Sequence, residues 1–201
     1  MKRIDAMRGV LDVVDDDLVV CNQGGNSQDW HELRPSNNFY LQHAMGLTIA
    51  IALGLACALP RERVWAFEGD GGMLMNLGLL GVIAKKRPEN LRVVIFDNEN
   101  HECGGPYPTL TADTVDLAAV AVATGWDTAH TVSDEAAFAQ ATVDLCDAPG
   151  LNLLVAKIEL STDGSPMTID AVEGKFLFVR AVERKVGIEI IHPPEYYSTT
   201  F

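Results

Sequence analysis

The chain has 201 residues, a formal net charge of −13 and an apolar content of 48%. That is one compact domain of ordinary size with apolar residues enough to bury a sheet, and the acidic balance, with no basic stripe, argues against nucleic acid as a partner. Four cysteines stand without metal-ligand spacing and read as the reduced thiols of a cytoplasmic protein, Cys103 being of interest for its neighbours.

Charge interrupts the apolar residues of the first 17 positions, so no signal peptide is expected. Residues 4–14 have helical periodicity, and 18–21 read as a short buried strand. The loop 22–26 leads to a short helix ending at Leu33, with Ser27 or Asp29 as its cap. A second strand is expected over 39–41. The most apolar run, 44–59, is too short for a comfortable membrane span and reads as a fully buried helix from about Met45. Then come a strand over 64–67, a helix over 73–86 and a strand over 91–96, with Pro88 and Asn90 in the turn between the last two. Residues 101–113 are too rich in Gly and Pro for regular structure, and a long loop in a compact domain is often functional. Helices over 116–124 and 134–146 flank a weak strand at 126–129. A strong strand over 151–158 and an amphipathic helix over 170–185 follow. Strands alternating with helices predict an α/β fold, a doubly wound, mostly parallel sheet with helices on both faces. One domain is expected over 1–186. The tail 187–201, with two prolines and three aromatics, is expected to be frayed or packed on a partner.

Two strand ends carry the chemistry. The strand at 64–67 runs into Gly69-Asp70-Gly71, and the next, one helix later, into Asp97-Asn98. A parallel sheet brings both ends to one edge. Backbone N–H groups between the glycines and the helix favour phosphate. A carboxylate and an amide beside a phosphate suit Mg²⁺, which takes a few oxygens from protein and the rest from phosphate and water.

Gly-Asp-Gly followed at this spacing by Asn98 resembles the cofactor motif of thiamine diphosphate (ThDP) enzymes. The resemblance implies Asp70, Asn98 and the backbone carbonyl of Asn100 as Mg²⁺ ligands, with Asp97 departing from the usual first Asn. It implies that Gly71 and Gly72 offer N–H groups to the diphosphate and that Asn22 and Gly24 lie beside it. His43-Ala44-Met45-Gly46 is similar to the Gly-Ser-Met-Gly type motif of ThDP-dependent 2-oxoacid decarboxylases. There Met45 would be the apolar wedge that bends the cofactor, and His43 would give a carbonyl to its amino group. Residues 96–106 resemble most the phosphonopyruvate and sulfopyruvate decarboxylases, through His101 and Gly104-Gly105, with Glu102-Cys103 where that branch has Ser-Thr.

The family implies release of CO₂ and an aldehyde from an anionic 2-oxoacid. His43 and His101 are the candidate groups for proton transfer or carboxylate binding. It also implies a beta-type subunit, completed by an alpha-type, pyrimidine-binding chain that supplies an activating Glu, and self-association at least to a dimer. A ThDP carboligase or ketol-transferase half, or a regulatory subunit that kept the fold, are the alternatives.

Overall fold

The computed structural model describes residues 1–105, 107–161 and 170–191. The side chain of Cys103, Pro106 and the tail from 192 onward lie outside them. Six parallel strands form one sheet in the order β2-β1-β3-β4-β8-β7: β1 (Leu18–Cys21), β2 (Asn38–Tyr40), β3 (Val64–Gly69), β4 (Leu91–Asp97), β7 (Thr128–Val132) and β8 (Asn152–Lys157). β1, β3, β4 and β8 are apolar runs buried nearly throughout, as strands covered on both faces must be.

Alternate residues of these strands feed two cores. Leu18, Val20, Val64, Ala66, Val93, Ile95 and Val155 pack with α4 (Thr48–Ala58), α6 (Gly78–Lys86), α7 (Leu117–Ala123) and α9 (Ala171–Val186). Val19, Cys21, Trp65, Phe67, Val94 and Phe96 pack on the other face with α1 (Arg3–Arg8), α2 (Leu11–Val14), α3 (Gly25–Leu33) and α8 (Glu135–Asp147). The sheet is doubly wound. Asp134 and Asp170 cap α8 and α9 by accepting backbone N–H bonds, each contributing about 1 kcal/mol.

Several elements differ from expectation, each for a local reason. The helix over 4–14 is two helices, because Gly9, a poor helix former, ends α1 and turns Val10 into the core. Neither Ser27 nor Asp29 caps α3. The helix begins at Gly25, Ser27 donates to the Asn22 carbonyl, and Asp29 pairs with Arg3. β2 lies one residue earlier than expected. The helix over 73–86 is also two: α5 (Asp70–Met75) takes in the glycine motif itself, and Asn76 breaks the run, its side-chain N–H₂ donating to the Gly46 carbonyl.

α4 starts at Thr48, because Gly46 has φ +75°. It is buried along one face only, and Gly54, Cys57 and Ala58 are exposed. β7 starts beyond Trp126, whose indole N–H donates to the Leu80 carbonyl and anchors the preceding turn. The segment expected to be irregular folds into a two-stranded antiparallel ribbon, β5 (Asn100–His101) with β6 (Tyr107–Pro108), and two 3-10 turns at Glu102–Gly104 and Leu110–Ala112. No helix among the described residues is long and apolar enough to cross a membrane.

Candidate active site

From β1 the chain winds outward to β2, then returns to the other side of β1 to lay down β3 and β4. The carboxyl ends of β1 and β3 therefore flank a topological switch point, where open α/β sheets form their ligand crevice. A cavity of about 340 Å³ opens there. Asn22 follows β1, Asp70 follows β3 and Asn98 follows β4, and all three line it. Gly71, Gly72, Met45, Asn100 and His101 share the wall.

Asp70 opens α5 and is 2% exposed. Its Oδ2 accepts from the Thr109 hydroxyl at 2.5 Å, and the Thr111 hydroxyl lies 3.3 Å from the same oxygen. Burial pushes its carboxyl above the usual range, the Thr109 bond opposes that, and the Asp97 carboxylate adds to it. Asp97 is held in turn. Its Oδ1 accepts from Thr111 at 2.8 Å and from the Glu99 N–H at 3.0 Å, and its Oδ2 pairs with Lys157 at 2.8 Å. The charge that replaces the usual amide is thus matched by a cation inside the protein. Asn98 Oδ1 accepts from the Asn100 N–H at 3.0 Å, and Asn98 Nδ2 donates to Glu102 at 3.3 Å.

His101 reaches the wall through the ribbon and lies against Gly71, where a Cβ would sit 2.5 Å from its Nδ1. Only glycine allows that approach. Met45 is carried by the 43–46 turn, tied down by the Ala44 N–H on the Gln23 side chain at 3.1 Å. Two expected residues are not on the wall. Gly24 (φ +86°) caps α3 while Gly25 and Asn26 line the cavity, and His43 is exposed with φ +56°. Arg3, Glu102, Thr109, Thr111 and Lys157 belong to the site or its support without having been singled out for these roles in the sequence. Only Glu102 carried a signal, as a departure from the family motif.

Among the described residues no three His, Cys, Asp or Glu side chains converge on a common metal position. A cation at this edge would have to take Asp70, amide and carbonyl oxygens, with phosphate or water completing the shell, and that hard oxygen set suits Mg²⁺. Asn22 Oδ1 is buried on the same wall with no hydrogen-bond partner among the described residues, an acceptor suited to a polar ligand. The residues present fit a magnesium diphosphate.

Glu68, on β3 two residues before Asp70, is 1% exposed. Burial raises its carboxyl to about 7, against the pull of the Gly69 N–H and the first turn of α4 at Thr48. The unfolded chain ionises this group near its ordinary value while the folded chain resists until about pH 7. The group therefore costs stability progressively as pH rises through that window and fully above it. A displacement of this size is worth about 3 kcal/mol. Glu68→Gln is expected to stabilise the cofactor-free chain by about that much at pH 8 and by nearly nothing at pH 4. Urea unfolding at the two pH values checks this, and equal gains at both would refute it.

Comparison with known proteins places these features in a family. Residues 23–156 match the family model described as thiamine pyrophosphate enzyme, C-terminal TPP binding domain, TPP being ThDP. The chain is 39% identical over 135 residues to the sulfopyruvate decarboxylase subunit beta of Methanothermobacter thermautotrophicus, covering 67% of this chain and 72% of the relative. It is 32% identical over 186 residues to the subunit of the same name from Methanocaldococcus jannaschii, covering 91% and 98%. It is 36% identical over 153 residues to the phosphonopyruvate decarboxylase of Streptomyces viridochromogenes, covering 74% of this chain and 38% of that longer protein. The chain belongs to the thiamine pyrophosphate enzymes, as a TPP-binding domain on the decarboxylase branch of that family.

Proposed function

We propose that this chain is the beta-type subunit of a cytoplasmic ThDP-dependent decarboxylase acting on an anionic 2-oxoacid such as sulfopyruvate or phosphonopyruvate. The observation that carries the proposal is the gathering of Asp70, Asn98 and Asn100 on one cavity wall with Gly71, Gly72 and Met45. Asp70, Asn98 and the Asn100 carbonyl would hold Mg²⁺, and the first-turn N–H groups at Gly71, which also reaches the Asp70 carboxylate, and Gly72 would hold the diphosphate. When bound, ThDP supplies the electron sink that lets a 2-oxoacid lose CO₂.

The protein residues do the rest. The Thr109 hydroxyl fixes one oxygen of Asp70, Thr111 holds Asp97, and Lys157 keeps the Asp97 charge from competing. Met45 and Met75 give the cavity an apolar side that displaces water. His101, on the wall, is the better placed of the two histidines to hold a proton or receive the substrate carboxylate, since His43 is exposed and does not line the cavity. The substrate class rests on the relatives, which carry both sulfonate and phosphonate names.

The test is the chain reconstituted with its alpha-type partner, Mg²⁺ and ThDP, assayed for CO₂ and aldehyde from pyruvate, sulfopyruvate and phosphonopyruvate. Turnover of one of the two anionic analogues well above pyruvate is expected. Carboligation products in place of aldehyde would overturn the reading.

A further inference from the structure

Two wall residues have no part in the cofactor reading. Arg3 enters the cavity from α1 although it is only 3% exposed. Its Nε donates to Asp29 Oδ2 at 2.7 Å and its Nη1 to Glu102 Oε2 at 3.0 Å. The same Glu102 oxygen accepts from Asn98 Nδ2 at 3.3 Å. Gly25 makes room for this, since a Cβ there would lie 1.9 Å from Arg3 Nη2.

A side-chain amide has two ends of nearly equal shape, and only its oxygen can bind a cation. A carboxylate only accepts, so Glu102 selects the orientation of Asn98 with Nδ2 toward itself. The Asn100 N–H selects the same orientation from the other end, by donating to Oδ1. Glu102 is also a negative charge at the edge of an anion site, and Arg3, itself anchored by Asp29, restrains it. We propose that Arg3 and Glu102 are positioning residues that set the Asn98 amide for the cation, through the chain Asp29–Arg3–Glu102–Asn98. The inference rests on the proposal that Asn98 is a Mg²⁺ ligand.

The test measures Mg²⁺ half-saturation for ThDP binding by calorimetry in the full chain, beside thermal unfolding without cofactor. Outer partners of metal ligands typically matter by about 10–100-fold in affinity. Glu102→Ala is expected to raise the Mg²⁺ half-saturation by that factor with the unfolding temperature unchanged. Glu102→Gln, whose amide oxygen still accepts from Asn98, recovers most of the loss. Arg3→Lys, which keeps the charge but not the fork, falls between. In an Asn98→Ala background, Glu102→Ala has no further effect.

Glu102→Ala binding as the parent does, while Asn98→Ala loses binding, overturns the positioning role alone. So does an equal loss from Glu102→Ala with and without Asn98, which would mark a general electrostatic effect. Asn98→Ala binding as the parent does would overturn the cation site, and this inference with it.

Discussion

Asp70→Ala is expected to abolish Mg²⁺-dependent ThDP binding, a loss of more than about 100-fold, while the cofactor-free fold survives. The carboxylate sits at the end of β3 with the Thr109 hydroxyl on one oxygen, a geometry that fixes a ligand without any need of it for folding. Its burial opposes ionisation, so its removal relieves a cost that the apo chain carries near neutral pH. Thr109 and Thr111 keep their 2.8 Å contact with each other, and Thr111 keeps Asp97. A cation requires the ionised form, so Mg²⁺ affinity should rise with pH through the raised pKa of Asp70, with proton release on binding. Calorimetry at two pH values, with Asp70→Asn as the uncharged control, reads both effects. Affinity unchanged in Asp70→Ala would remove Asp70 from the site.

The parts of this site visible in the sequence are those set by the backbone. Buried parallel strands are continuous apolar runs, so the ends of β3 and β4, and with them Asp70 and Asn98, could be placed on one sheet edge from residue order alone. Elements bounded by tertiary contacts could not. Asn76 ends α5 because its amide is used by Gly46, 30 positions away, and the ribbon of β5 and β6 has two residues per strand, too few to show alternation. Arg3 reaches Glu102 across 99 positions, and Thr109 reaches Asp70 across 39. No periodicity reports such pairings. A motif position such as that of His43 fixes the course of the backbone better than the direction of a side chain. His43 stands exposed while its neighbour Met45 lines the cavity.

The other large effect concerns activity. This chain alone is expected to turn over a 2-oxoacid at least about 100-fold more slowly than the same chain with an alpha-type partner, the low end of what one positioned acid–base group contributes. The Methanocaldococcus relative, which this chain matches over 98% of its length, is itself named a beta subunit. The rim of the cavity points the same way. Tyr107 and Met75 line it yet are 68% and 65% exposed, and Leu47 and one face of α4 are exposed as well. Exposed apolar patches of this kind mark interfaces. A partner seated there would close the cavity against water and bring the carboxylic acid that the cofactor's pyrimidine needs. The chain would also pair with a second copy of itself, since most oligomers close with two-fold symmetry. Light scattering of the pure chain should therefore give at least a dimer of the 21.8 kDa protomer, and a larger species with the partner. Rates measured on the same samples should rise with the larger species. A homogeneous preparation of this chain, monomeric and decarboxylating at an ordinary enzyme rate, would show that the exposed rim is not an interface and that the activating acid lies within the chain itself.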